Sequence, residues 1–161
     1  MSSTPHPIVI AGFDGSPAAH FAVERGIDRV GATGHLLVVI AYQAPAGYAG
    51  ASYYQAMLDD SLGGAEKLMA DLESSCERLA TVDWEPDIVQ GPAGPVIAQV
   101  AETRDADEIV IGTRGHGRFR AALGSVAMDV LHRAHCPVVV IPERMFATAS
   151  ASGRRREAVV V

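Results

Sequence analysis

Hydrophobic residues along this chain form short runs that alternate with segments in which apolar residues recur every three or four positions. Runs that are apolar at nearly every position are typical of strands covered on both faces, as in a parallel sheet. The third run contains Pro86, which predicts a place at an edge of the sheet. The five predicted strands are 8–13, 36–42, 83–90, 108–111 and 138–141.

The segments between these runs predict helices, because their apolar residues would share one helical face. Ser16 and Pro17 read as an N-cap followed by a first helical residue, and Gly94-Pro95 has the same form. Alternating strands and helices predict an α/β fold with a single doubly wound five-stranded parallel sheet, order 3-2-1-4-5, and helices on both faces. Residues 43–56, with their small side chains and tyrosines, are predicted as a loop, and caps at 59–61 predict the second helix to start there.

The composition predicts one ordinary globular domain, which we place at 1–143. The chain has 161 residues, of which 48% are hydrophobic and 20% charged. Residues 147–153 have linker composition, so 144–161 is predicted as a flexible tail unless the terminal valines dock on another element. No apolar stretch is long enough for a bilayer and the start lacks signal-peptide features, so we expect a cytoplasmic protein without a membrane partner.

Charge and cysteine content narrow the function classes further. A net charge of -6 argues against a non-specific nucleic-acid binder, which needs a basic face. The two cysteines, Cys76 and Cys136, are expected to be buried thiols rather than a disulfide. His132 and His135 stand close to Cys136, but no matching pair occurs elsewhere at zinc spacing, so no protein metal site is predicted.

The loop after the fourth predicted strand has the features of an anion cradle. Ligands of open parallel sheets bind beyond the carboxyl ends of the strands, where the strand order reverses. Gly112, Gly115 and Gly117 would let a ligand approach the main chain, whose amides can form a concave nest. Gly124 and Ser125 then open a helix, and helix N-terminal amides favour a phosphate.

Charged residues strengthen this interpretation without excluding a simpler one. Arg114 and Arg118 could pair with phosphate in bidentate fashion, and Asp14 could accept hydrogen bonds from a ribose or from an adenine amino group. The alternatives are a flexible surface loop and an Asx turn at Asp14. The chain has one lysine, Lys67, within a predicted helix, so a Walker A loop is excluded, and "GFDGSPAAH" does not match the dinucleotide fingerprint.

The stretches "GFDGSP" and "GTRGHGRFRAALGSV…HCPVVVIP" resemble the universal stress protein family, and the resemblance runs from Ile8 to Pro142. In members of that family that bind ATP, these positions form the nucleotide site. The implied contact residues are Gly12 and Asp14 for the adenosine, the main chain of Ala41 for the adenine edge, Gly112 near the ribose, Thr113, Arg114, Gly115, His116, Gly117 and Arg118 along the phosphates, and Gly124, Ser125 and Val126 for the terminal phosphates.

The resemblance implies a regulatory protein of the stress response that binds ATP, ADP or AMP, with Mg²⁺ on the phosphates and at most slow hydrolysis. It implies a homodimer paired through Val138–Ile141 and a signalling partner of unknown identity. One feature departs from the family pattern, since eight residues rather than nine separate Gly115 from Gly124. That shorter loop supports the alternative function, an interaction module of the same fold that does not bind nucleotide.

Overall fold

A computed structural model describes residues 6–43, 50–113, 123–142 and 159–160. These residues form strands and four α-helices in strict alternation, followed by a final short strand. A short 3₁₀ helix, Glu77–Thr81, precedes the third strand. The elements are β1 Ile8–Gly12, α1 Pro17–Val30, β2 His35–Tyr42, α2 Gly50–Ser75, β3 Asp83–Gln90, α3 Ala93–Thr103, β4 Glu108–Gly112, α4 Ser125–Arg133, β5 Val138–Ile141 and β6 Val159–Val160.

The sheet has the order β3-β2-β1-β4-β5-β6. Its first five strands are parallel, which confirms the predicted five-stranded doubly wound sheet. β6 adds a sixth strand, antiparallel to β5, with Val160 opposite Val139 and Val159 opposite Val140. Val159 and Val160 thus dock on the sheet edge, which is the exception that the prediction of a flexible tail allowed, whereas 143–158 lie outside the described residues.

Two helices cover each face of the sheet, and successive strand residues divide between the two cores because strand side chains alternate. Val9 and Ala11 of β1 pack on the side of α1 and α2. Ile10, between them, packs on the side of α3 and α4. All three are at most 1% exposed, so burial on both faces accounts for the nearly unbroken apolar runs.

β3 forms one edge of the sheet, as Pro86 predicted. The Gly91 amide donates to the Tyr42 carbonyl, which shows that the main-chain groups of the odd-numbered residues here point toward β2. Main-chain groups of successive strand residues point in opposite directions, so those of Pro86 point outward. Proline lacks an N–H, and at this position the loss breaks no hydrogen bond of the sheet.

The start of α1 was predicted correctly, but the starts of α2 and α3 were not. Gly94 and Pro95, predicted as N-cap and first helical residue, lie inside α3, whose N-cap is Pro92. Ser16 caps α1, since its hydroxyl accepts a hydrogen bond from the Ala19 amide at 3.2 Å. α2 starts at Gly50, so the predicted loop is wrong for residues 50–56 and the predicted caps at 59–61 lie inside the helix. Side chains 50–56 are exposed, so no buried stripe marks this part of the helix.

Candidate functional site

The strand order reverses between β1 and β4, whose carboxyl ends lie side by side. Each strand ends in a glycine with no room for a side chain. A Cβ at Gly12 would lie 2.8 Å from Ile97 Cδ1, and a Cβ at Gly112 would lie 2.6 Å from Ala18 Cβ. The main chain at Gly112 therefore lies against the first turn of α1, and the main chain at Gly12 lies against the Ile97 side chain of α3.

The loop after β1 is a tight turn built around Asp14. One carboxylate oxygen, Oδ1, accepts a hydrogen bond from the Ser16 amide at 3.0 Å, and Gly15 follows Asp14 with a φ of 77°. This is the Asx turn that the sequence left open. Asp14 is exposed, and its Oδ2 has no hydrogen-bond partner among the described residues. Oδ1 therefore shapes the loop, and Oδ2 can accept a bond from a ligand.

Ala41 presents main-chain groups at the same edge. The Phe13 amide donates to the Val39 carbonyl, so the main-chain groups of Val39 point toward β1. The Tyr42 carbonyl accepts from the Gly91 amide, so the main-chain groups of Tyr42 point toward β3. By alternation the N–H and C=O of Ala41 face the β1 side. β1 has ended there, because Gly12 pairs with Val39. One donor and one acceptor are thus displayed beyond the end of β1.

The start of α4 is the strongest anion-binding feature among the described residues. The N-cap is Gly124, which has no side chain to cap the helix, and the first turn holds no acidic residue. Within the described part of the chain, the amides of Ser125, Val126 and Ala127 have no hydrogen-bond partner. Free amides and the helix dipole, worth about half a positive charge, favour an anion at this end.

Thr113 anchors this helix start to the sheet. Its amide donates to the Ile141 carbonyl of β5 at 2.9 Å, and its carbonyl accepts from the Gly124 amide at 2.8 Å. The free amides of α4 are thereby held beside the end of β4. The phosphate-loop residues between them, Arg114, Gly115, His116, Gly117 and Arg118, lie outside the described residues.

The structure therefore places eight predicted residues at the carboxyl edge of the sheet. They are Gly12, Asp14, Ala41, Gly112, Thr113, Gly124, Ser125 and Val126.

Two residues that position the site could not be recognised from the sequence. Leu68 of α2 packs against the β1–α1 turn, since a Cβ at Gly15 would lie 2.7 Å from Leu68 Cδ1. Ile97 of α3 fills the space next to Gly12. Both belong to apolar helix stripes, and nothing in a stripe distinguishes the residue that supports a binding loop from any other core residue.

The histidine and cysteine residues do not form a second site in the part of the chain described. No group of three His, Cys, Asp or Glu side chains there is arranged to hold a metal ion. The His132 ring nitrogen Nδ1 lies 2.8 Å from the Met128 carbonyl. Cys76 and Cys136 are free, half-buried thiols, and burial raises the pKa of Cys136, which favours its unreactive protonated form.

Together, the sheet topology and the open main-chain groups define a doubly wound α/β domain with a candidate site at its switch point. The chain belongs to the universal stress protein family, whose family model matches residues 6–142. It is 34% identical over 144 residues to universal stress protein Rv2624c of Mycobacterium tuberculosis, which covers 88% of this chain and 50% of that protein. It is also 34% identical over 136 residues to a universal stress protein of Thermus aquaticus, covering 83% of this chain and 96% of that protein. The chain thus spans about half the length of the mycobacterial relative.

Solved structures confirm the fold. Universal stress protein UspA from Lactobacillus plantarum superimposes with a TM-score of 0.73 at 22% identity, covering 86% of this chain and 99% of that one. A universal stress protein family protein from Arabidopsis thaliana with AMP bound superimposes with a TM-score of 0.62 at 18% identity, covering 92% of this chain and 99% of that one. A universal stress protein in complex with cAMP superimposes with a TM-score of 0.55 at 23% identity, covering 85% of this chain and 97% of that one.

Among the described residues, no helix has the length and apolarity to cross a membrane.

Proposed function

We propose that this protein binds an adenine nucleotide, ATP or its products ADP and AMP, at the carboxyl edge of the sheet. The observation that carries the proposal is the start of α4, where the amides of Ser125, Val126 and Ala127 have no partner among the described residues and Gly124 supplies no cap. The start of α1 differs, because the Ser16 hydroxyl caps it from within the chain. Two neighbours with the same fold hold AMP and cAMP, which supports an adenine nucleotide as the anion.

The other residues at the edge fit the rest of such a ligand. The free Oδ2 of Asp14 can accept hydrogen bonds from ribose hydroxyls, and the main chain of Ala41 offers one donor and one acceptor to the adenine edge. Gly12 and Gly112 add no side chain of their own at the two strand ends. Mg²⁺ would bind through the phosphates.

The proposed role is regulatory and not catalytic. The position of the Asp14 carboxylate beyond β1 suits ribose contact, so we assign no general base for attack on a γ-phosphate. Hydrolysis would then be slow at most. The protein would act in the cytoplasm as a stress-response homodimer paired through β5, with ligand occupancy altering how it contacts a signalling partner.

One observation favours a second candidate function, an interaction module of this fold that binds no nucleotide. Eight residues rather than nine lie between Gly115 and Gly124. A shorter connection can rotate the α4 amides relative to the loop, and anion recognition depends on amide direction.

The test is to denature the purified protein by heat and identify any released nucleotide by chromatography and absorbance. We expect ATP, ADP or AMP from the wild type and none from Gly124→Glu, whose carboxylate would repel the phosphates. Position 124 has a φ of -66°, so a side chain is tolerated by the backbone.

Gly63→Glu is the matched control, because a Cβ at Gly63 on α2 meets nothing within 4 Å. It should retain nucleotide and, like Gly124→Glu, unfold cooperatively. A wild-type protein that releases no nucleotide and gives no calorimetric heat with ATP and Mg²⁺ would overturn the nucleotide proposal and favour the interaction module.

A further inference from the structure

The outer edge of β5 is covered by β6, Val159–Val160 of the same chain. The Thr113 amide donates to the Ile141 carbonyl and the Ile109 amide to the Pro137 carbonyl, so the main-chain groups of the odd-numbered residues here point toward β4. By alternation the N–H and C=O of Val140 point away from β4, toward the edge. β6 lies there, with Val159 directly opposite Val140.

Without β6 this edge would be a strong strand-pairing surface. All four side chains of β5 are at most 6% exposed, so the strand is held firmly by the two cores and its unpaired groups would be a fixed template. An exposed, apolar, unprotected edge of this kind is where chains associate. The opposite edge, β3, has Pro86 as protection, whereas "VVVI" contains neither proline nor charge.

We propose that β6 is a removable cover of the β5 edge, and that it limits pairing of β5 with a second copy of this chain. The proposal rests on the homodimer suggested above, because both use the same edge. β6 pairs with only Val139 and Val140, whereas a second copy offers all four residues Val138–Ile141 in antiparallel register. Cover and dimer cannot occupy the edge together.

The balance between β6 and a second copy at the β5 edge depends on β6 being part of the same chain. A strand attached to the same chain acts at an effective concentration on the order of millimolar, far above that of a second copy in dilute solution. A two-residue ladder is shorter than the strands usual in proteins, so it is weak enough for a second copy to displace at high concentration. The C-terminal valines would thus set the concentration at which the protein dimerises.

The register provides a pair of matched variants. Val159 faces the outward groups of Val140, so its own N–H points into the ladder, and Val159→Pro removes that donor. Val160 lies opposite Val139, whose groups point to β4, so the N–H of Val160 points away from β5 and Val160→Pro leaves the ladder intact.

The experiment is sedimentation of the full chain, Val159→Pro, Val160→Pro and a chain lacking residues 158–161 over a wide concentration range. We expect the dimer dissociation constant to fall about tenfold or more in Val159→Pro and in the truncated chain, because the tethered competitor is lost. Val160→Pro should match the wild type. Circular dichroism and thermal unfolding establish that each variant is folded.

Three outcomes would contradict the inference. Equal dissociation constants in all four chains would overturn the cover and leave the proposed dimer standing. Weaker dimers after truncation would show that the terminal valines build the dimer, which also overturns the cover. Monomers at every concentration in all four chains would overturn both proposals. Nucleotide content, measured in parallel, tests the nucleotide proposal alone.

Discussion

Gly112 at the end of β4 lies directly against Ala18 in the first turn of α1, with space for no more than a hydrogen atom between them: a Cβ at position 112 would be 2.6 Å from Ala18 Cβ. The contact joins the two strand–helix connections that form the candidate site. It also accounts for the first glycine of the loop motif by packing alone, whether or not a ligand binds.

We therefore expect Gly112→Ala to destabilise the fold by about 1–3 kcal/mol, the usual cost of overpacking a tight contact. Gly64→Ala on α2 is the control, because nothing lies within 4 Å of a Cβ there and alanine is the better helix former, by up to about 1 kcal/mol. Urea unfolding measures both. Equal stability of the two variants would show that the Gly112 contact relaxes without cost.

The proposed function gives Asp14 two separable roles: Oδ1 holds the turn and Oδ2 would contact the ligand. Asp14→Asn keeps an acceptor for the Ser16 amide but removes the negative charge, and Asp14→Ala removes both. We expect Asp14→Asn to retain wild-type stability and to weaken adenine-nucleotide affinity about tenfold, the scale of one hydrogen bond to a charged group. Calorimetric titration with ATP and Mg²⁺ measures the affinity. Unchanged affinity in both variants would remove Asp14 from the ligand site.

Glu108 is a buried carboxylate, 6% exposed, whose partner is Arg29 at the other end of the sheet from the site. Arg29 donates to both of its oxygens at 2.9 Å. Arg29→Met retains the aliphatic stem and leaves the carboxylate unpaired. Because the Arg29 side chain is 50% exposed and water can partly replace it, we expect a loss of about 1–3 kcal/mol, below the full cost of breaking a buried pair.

Arg78→Met is the control for that variant. Arg78 pairs with Asp28 at 2.7 Å on the surface, where an ion pair contributes about 0–1 kcal/mol. Nucleotide content should be unchanged in both, because neither arginine lies at the carboxyl edge. Thermal unfolding would contradict the interpretation of Glu108 if the two variants lost the same stability.

The sequence predicted correctly those structural features that depend on a single residue or on contacts between neighbouring residues. Pro86 placed β3 at the edge because a missing N–H is tolerated only there, and Ser16-Pro17 located the start of α1 because a cap is a contact between neighbours. The first turns of α2 were missed because their side chains are exposed. The apolar periodicity of a helix arises from the face that it buries, so a helix segment with exposed side chains shows no such periodicity in the sequence.

The order of apolar runs, glycines and caps along the chain by itself determined the α/β class, the five parallel strands and the two loops at which a ligand would bind. Only the tertiary structure decided which atoms have no partner in the part of the chain that it describes: Oδ2 of Asp14, whose Oδ1 closes the turn, and the first amides of α4. It alone docked Val159–Val160 on β5. The physical reason is range: periodicity and capping act between near neighbours, whereas hydrogen-bond saturation and edge pairing depend on residues that only folding brings together.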